Sequence, residues 1–140
     1  MLGLRSADFE ESDMSNTTTV RQHAINWFEI PCADLDRATT FYETLLGAKM
    51  QRENIGVPMS LFPVDETGTG GTLVKRVFQK PGANGPMVYL NCDGDLDAAL
   101  ARVPQAGGLV LMPKTEVPGG YGHFFGLRYT EGNHIGLHSH

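Results

Sequence analysis

The chain has 140 residues, 41% of them hydrophobic, with 17 Gly and 8 Pro. That length fits one domain with an ordinary core, and the glycine and proline content suits a fold rich in strands and turns. A net charge of −5 with scattered basic residues, the closest pair being Lys75 and Arg76, excludes a surface for a nucleic-acid backbone, which calls for clustered Lys and Arg.

Residues 1–22 are polar and aperiodic and read as a flexible N-terminal arm. MLGLRSADFE has no signal-peptide hydrophobic stretch, and no apolar run nears the ~18 residues of a membrane span. The expectation is a cytoplasmic protein with no nucleic-acid or membrane partner. Its two cysteines, Cys32 and Cys92, lack the paired spacing of a zinc site and are expected to be reduced, buried thiols.

From Ile25 the pattern becomes dense. INWFEIPCADLDRATTFYETLLGAKM reads as strand, turn, helix, strand. Phe28 and Ile30 alternate with Trp27 and Glu29 at strand period. Asp34 is the expected N-cap, and Leu35, Ala38, Phe41, Tyr42, Leu45 and Leu46 form one apolar helix face. Gly47 is the expected C-cap.

MVYLNCDGDLDAALARVPQAGGLVLM repeats that sentence. Val88 and Leu90 stand 60 residues after Phe28 and Ile30, and Leu96 stands 61 after Leu35. Gly94 therefore reads as an insertion in the second turn, and Gly108 echoes Gly47. Each helix is followed by three strand-like runs. They fall near Ala48–Glu53, Met59–Val64 and Gly71–Val77, then near Gly108–Lys114, His123–Thr130 and His134–Ser139. The repeat predicts one α+β domain over residues 23–140 made of two βαβββ modules, 24–80 and 85–139.

Paired βαβββ modules carrying IPCADLDRATTFYETLLG and TEGNHIGL resemble the vicinal oxygen chelate superfamily. That group includes glyoxalase I, extradiol dioxygenases, fosfomycin-resistance enzymes and bleomycin-binding proteins. The resemblance spans roughly residues 24–139. It implies curled mixed sheets around a shared cleft, helices outside, and a homodimer.

Strand alternation sorts the side chains. Phe28, Ile30, Val88 and Leu90 are expected under the helices. Ile25, Trp27, Glu29, Met87, Tyr89 and Asn91 are then expected toward the cleft. Taking Thr130-Glu131-Gly132-Asn133 as the last hairpin turn pairs Tyr129 with His134, Leu127 with Gly136 and Phe125 with His138. That register puts Phe125, Leu127, Gly136 and His138 in the cleft, with His123, His134 and His140 near its ends.

Three histidines in the last seven residues invite a metal reading. Along one strand, however, His134 and His138 lie about 13 Å apart, too far for one ion with bonds of ~2.0–2.1 Å. By the resemblance, metal-dependent members take ligands at positions that fall on Trp27, Met87 and Gly136. None of these is an ordinary ligand for a divalent ion. The resemblance thus implies a member that has lost the chelate, with no cofactor.

Trp27, Met87, Tyr89, Phe125 and Leu127 are expected as an apolar wall for a flat or apolar small molecule, oriented by Tyr89 and Asn91. Glu29 is the one acid in that wall, a general base or an acceptor for a ligand hydroxyl or amine. TGTGG at 67–71 lacks the phosphate-loop order and reads as a hairpin connection. VPGGYGHFF, around 117–125, reads as a mobile flap. No G-x-S-x-G elbow is present.

The leading expectation is a metal-independent member that binds a small organic ligand, to sequester it or to transform it by acid–base chemistry through Glu29 with His138 or His123. The alternative is a metal-dependent lyase or dioxygenase of glyoxalase type using Glu29, His123 and His138 as shifted ligands to a divalent metal ion. A third reading is a dimeric interaction module whose cleft is vestigial.

Overall fold

The computed structural model describes residues 20–140. The expected arm, residues 1–22, lies outside the described residues except for its last three. Two four-stranded sheets and two helices follow in the order β1(Trp27–Pro31), α1(Leu35–Leu46), β2(Gln51–Asn54), β3(Pro58–Leu61), β4(Gly70–Val74), then β5(Tyr89–Asn91), α2(Leu96–Ala106), β6(Leu109–Glu116), β7(His123–Arg128) and β8(His134–Ser139). The sheets have the same order, β1-β4-β3-β2 and β5-β8-β7-β6. In each, the first strand runs parallel to the last. The two βαβββ modules are therefore present, with open sheets rather than a closed barrel.

Local chemistry explains the boundaries. Asp34 caps α1 by accepting from the Arg37 amide at 3.0 Å, and Gly47, at φ 65, ends it in the left-handed conformation. In the second module Gly94, at φ 78, takes up the inserted residue. The cap of α2 is Gly107, at φ 99, rather than Gly108, because α2 is one residue shorter than α1.

The core lies between sheets and helices. Ile30, Leu73, Phe41, Tyr42 and Leu45 of the first module join Leu90, Val103, Phe125, Leu127, Ile135 and Leu137 of the second in one buried cluster. Phe28 and Val88 pack against it, as the alternation predicts for all four helix-facing positions. The modules meet through α1 against α2 and through aromatic contacts. The Tyr129 ring stacks on Phe41 at 4.4 Å and meets Tyr42 edge-on at 4.9 Å. Burying each such ring contributes roughly 1.5–3 kcal/mol.

A polar lock supplements that packing. The Glu131 side chain is fully buried and pairs with Arg37 Nη2 at 2.6 Å. It also accepts from Arg37 Nε at 2.8 Å and from the backbone N–H groups of Ala33 and Asp34. A residue of the β7–β8 turn thus satisfies the two backbone donors that lead into α1, where the helix dipole also favours a negative charge. Asn133 adds a second bridge. Its amide donates to the Pro31 carbonyl and to the Tyr129 hydroxyl, both at 2.8 Å. Both cysteines are free and buried.

Candidate functional site

The β7–β8 register decides which side chains face outward. Arg128 pairs with His134, Leu127 with Ile135, Gly126 with Gly136, Phe125 with Leu137 and Phe124 with His138. This corrects the sequence expectation by one residue, because the turn spans 129–133 instead of 130–133. A one-residue slip moves every side chain to the other face. Phe125 and Leu127 are therefore core residues under the helices, 0% and 1% exposed. Phe124 and Gly126 take the outward positions.

His123 moves with them. It lies on the helix side with Asp95, Asp97, Lys114 and His140 around a hollow of about 520 Å³ at the start of α2. His138 stays on the open face, its Nε2 2.6 Å from the Tyr121 carbonyl in the 117–122 turn. The two histidines that the metal-dependent alternative uses together thus occupy opposite faces of one sheet. His140 is tied to Asp93, which accepts its backbone N–H at 2.8 Å. That bond holds the Asp93 carboxyl below its usual range.

On the second module's open face, Tyr89 pairs with Gly136, and its ring lies over that glycine. A Cβ at position 136 would stand 2.3 Å from Tyr89 Cδ1. Phe124 meets the same ring edge-on at 5.8 Å. Met87 and Met112 converge on the second bare position, Gly126, at 3.6 and 3.5 Å from where its Cβ would be. The result is an aromatic and methionine platform, about half exposed at Met87, Met112 and Tyr89. Asn91 sits at its end and turns its Oδ1 to the Asp93 amide at 2.9 Å.

A cavity of about 410 Å³ opens beside the platform, between β1, the start of β8 and the inter-module strap. Glu29, Gln79, Lys80, Met87, Asn133 and His134 line it, together with residues 82–86 of the strap. The strap is held there by the Gly82 N–H, which donates to Asn133 Oδ1 at 2.8 Å. Met87 belongs to both cavity and platform. Trp27 does not line the cavity; its ring lies 3.5 Å from where a Cβ on Gly70 would be, beside Val64.

Glu29 is on the wall as expected, but it is not alone. Arg76, two residues beyond β4, reaches it with Nη1 at 2.5 Å and Nη2 at 3.2 Å. The same Nη1 donates to Gln79 Oε1 at 3.0 Å. A carboxylate gripped by a guanidinium fork is held in place as an acceptor. Sequence reasoning missed Arg76, Gln79, Phe124 and Met112.

The residues present do not fit the divalent metal of the chelate. Trp27, Met87 and Gly136 offer no carboxylate, imidazole or thiolate. The fourth position follows from the module repeat, since Thr72 pairs with Glu29 as Gly136 pairs with Tyr89. The Thr72 hydroxyl turns inside the sheet, where its one proton is shared between the Leu73 and Ser60 carbonyls at 2.8 and 2.9 Å. Among the described residues no three His, Cys, Asp or Glu side chains are grouped to hold an ion.

The sequence profile of the Glyoxalase/Bleomycin resistance protein/Dioxygenase superfamily matches residues 24–137. No curated protein matches in sequence. Solved structures agree in fold. The hypothetical protein SA1046 from S. aureus is 20% identical, with a TM-score of 0.65 over 87% of this chain and 96% of that one. A glyoxalase/bleomycin resistance protein from Albidiferax ferrireducens T118 is 17% identical, with a TM-score of 0.67 over 84% and 100%. Another, from Streptomyces sp. CB03234, is 22% identical, with a TM-score of 0.59 over 80% and 96%. Among the described residues no helix is long and apolar enough to cross a membrane.

Proposed function

Because the chain belongs to the Glyoxalase/Bleomycin resistance protein/Dioxygenase superfamily, we propose that it is a member that binds a small organic molecule without the divalent metal. The ligand's flat apolar part lies on the Tyr89–Phe124 platform, and its polar group enters the cavity between the modules. The observation that carries this reading is the Tyr89 ring over Gly136. It occupies the space a metal-binding carboxylate would need and offers an aromatic surface in its place.

Small-molecule sites combine an apolar wall with a few fixed polar groups. Met87, Met112, Tyr89 and Phe124 supply the wall; Glu29, Gln79 and His134 supply the groups. With Glu29 held by Arg76, the arrangement favours binding over proton abstraction. The metal-dependent lyase or dioxygenase reading with Glu29, His123 and His138 as ligands draws no support from His123, which lies on the helix side.

The open face also suits a second copy. Met87, Tyr89, Leu109 and Met112 of the second module are 43–53% exposed, and exposed apolar surface of this kind marks interaction sites. A homodimer is proposed on that ground, with light scattering as its test. The free buried thiols suit a reducing, cytoplasmic setting.

The test of the function is a thermal-shift screen of aromatic and aliphatic small molecules against the wild type and Tyr89→Ala, with metal analysis of untagged protein. Aromatic ligands should stabilise the wild type, by roughly 2.7 kcal/mol at 100 times Kd, and lose most of that effect in the variant. Stoichiometric bound metal, or equal stabilisation of both proteins, would sink the reading.

A further inference from the structure

We infer that the cavity between the modules selects an uncharged ligand edge that carries a hydrogen-bond donor beside an acceptor, as in a carboxamide or lactam. The inference rests on the binding site proposed above and adds the chemistry of its polar end.

The argument starts from Arg76, which is not itself a lining residue but grips two that are. Its Nη1 donates to Glu29 Oε1 at 2.5 Å and to Gln79 Oε1 at 3.0 Å. Two groups sharing one donor atom must lie side by side. Their polarity toward the cavity is then opposite. Glu29 keeps unused lone pairs on both oxygens and can only accept. Gln79 has its carbonyl oxygen committed to Arg76, and its amide nitrogen has no partner among the described residues, so it can only donate.

Charge completes the argument. The Glu29 carboxylate and the Arg76 guanidinium cancel, and the Glu29 hydrogen bond holds Arg76 charged by raising its pKa. An ionic ligand head entering here would lose hydration with no opposite net charge in the pair to offset the loss. A neutral amide loses less and gains two bonds: its N–H donates to Glu29 and its carbonyl accepts from Gln79. Lys80 also lines the cavity, but it is an exposed, solvated cation on a flexible stem.

Three aryl probes of similar size and different charge test this: benzamide, benzoate and benzylamine, titrated calorimetrically into the wild type, Glu29→Gln and Arg76→Met. The wild type should bind benzamide at least about tenfold tighter than either ion. Glu29→Gln leaves Arg76 uncompensated and should move the preference to benzoate. Arg76→Met leaves Glu29 uncompensated and should move it to benzylamine. Glu29→Gln keeps the shape of the pair, so it carries the test if Arg76→Met does not fold. If benzoate or benzylamine binds the wild type best, or benzamide stays preferred in both variants, the inference fails while the ligand site stands. If the wild type binds none of the three, both fall.

Discussion

Tyr89 and Gly136 face each other across the parallel β5–β8 pair, and the tyrosine ring fills the volume above the glycine. The glycine is there for space, since its φ is not in the positive range. Every side chain at 136 competes with the ring.

The first prediction follows from that competition. Gly136→Ala should cost about 1–2 kcal/mol, the usual scale for overpacking eased by a partly exposed neighbour that can swing away. In a Tyr89→Ala background the same change should cost almost nothing. Denaturant unfolding of the four proteins closes the cycle. Equal costs in both backgrounds would show that the ring does not limit position 136.

Glu131 carries the second prediction. Its carboxylate is 0% exposed, whereas Arg37 is 49% exposed. Glu131→Ala removes the acceptor from two backbone amides and an arginine at once, and should destabilise by about 3–5 kcal/mol, the range for a broken buried pair. Arg37→Ala should cost less, about 1–3 kcal/mol, because the stranded carboxylate loses its counter-charge but keeps its two backbone donors. Near-equal losses would mean that the ion pair, not the capping of α1, is what matters.

These two residues also mark the limits of sequence reading. Period-two alternation and the 60-residue repeat were enough to place Phe28, Ile30, Val88 and Leu90 under the helices. They were enough for Tyr89 and Met87 on the open face as well. The β7–β8 register is not legible from the turn alone, because TEGN has the form of a complete four-residue turn while Tyr129 also belongs to it. Matching apolar residues across the hairpin, Phe125 and Leu127 with Ile135 and Leu137, carries the right register. Arg76 left no local signal, since its partner Glu29 is 47 positions away and only the parallel β1–β4 pairing brings them together. Glu131 reads locally as a polar turn residue; its burial depends on where the other module's helix begins.

The third prediction concerns the two thiols. Burial, first among the causes, pushes both Cys32 and Cys92 up to about 11. At pH 8 each is then thiolate in about one part per thousand. Iodoacetamide should leave both unlabelled in the folded protein and label both in concentrated guanidinium, as read by intact mass. The linkage has a definite sign. Groups that hold their protons more tightly when folded stabilise less as pH rises from about 9 through about 11, so unfolding should become easier across that window. Fast labelling of the native protein at pH 8 would overturn the assignment.

The last prediction separates two tyrosines in contact. The Tyr42 hydroxyl is fully buried without a hydrogen bond of normal geometry among the described residues; burial, with the Tyr129 hydroxyl beside it, holds its pKa well above the usual value. The Tyr129 hydroxyl accepts from Asn133 Nδ2 at 2.8 Å, within the bridge that joins the last hairpin to β1. Their rings pack alike, edge to face at 4.9 Å, so replacement by Phe changes only the oxygen. Removing an unsatisfied buried hydroxyl relieves a desolvation cost, and Tyr42→Phe should stabilise by up to about 1 kcal/mol. Removing a satisfied one strands the Asn133 donor, and Tyr129→Phe should destabilise by about 1–2 kcal/mol. Urea unfolding of the two variants reads the difference directly. Destabilisation by Tyr42→Phe comparable to that of Tyr129→Phe would show that the Tyr42 hydroxyl donates to the Tyr129 hydroxyl beside it.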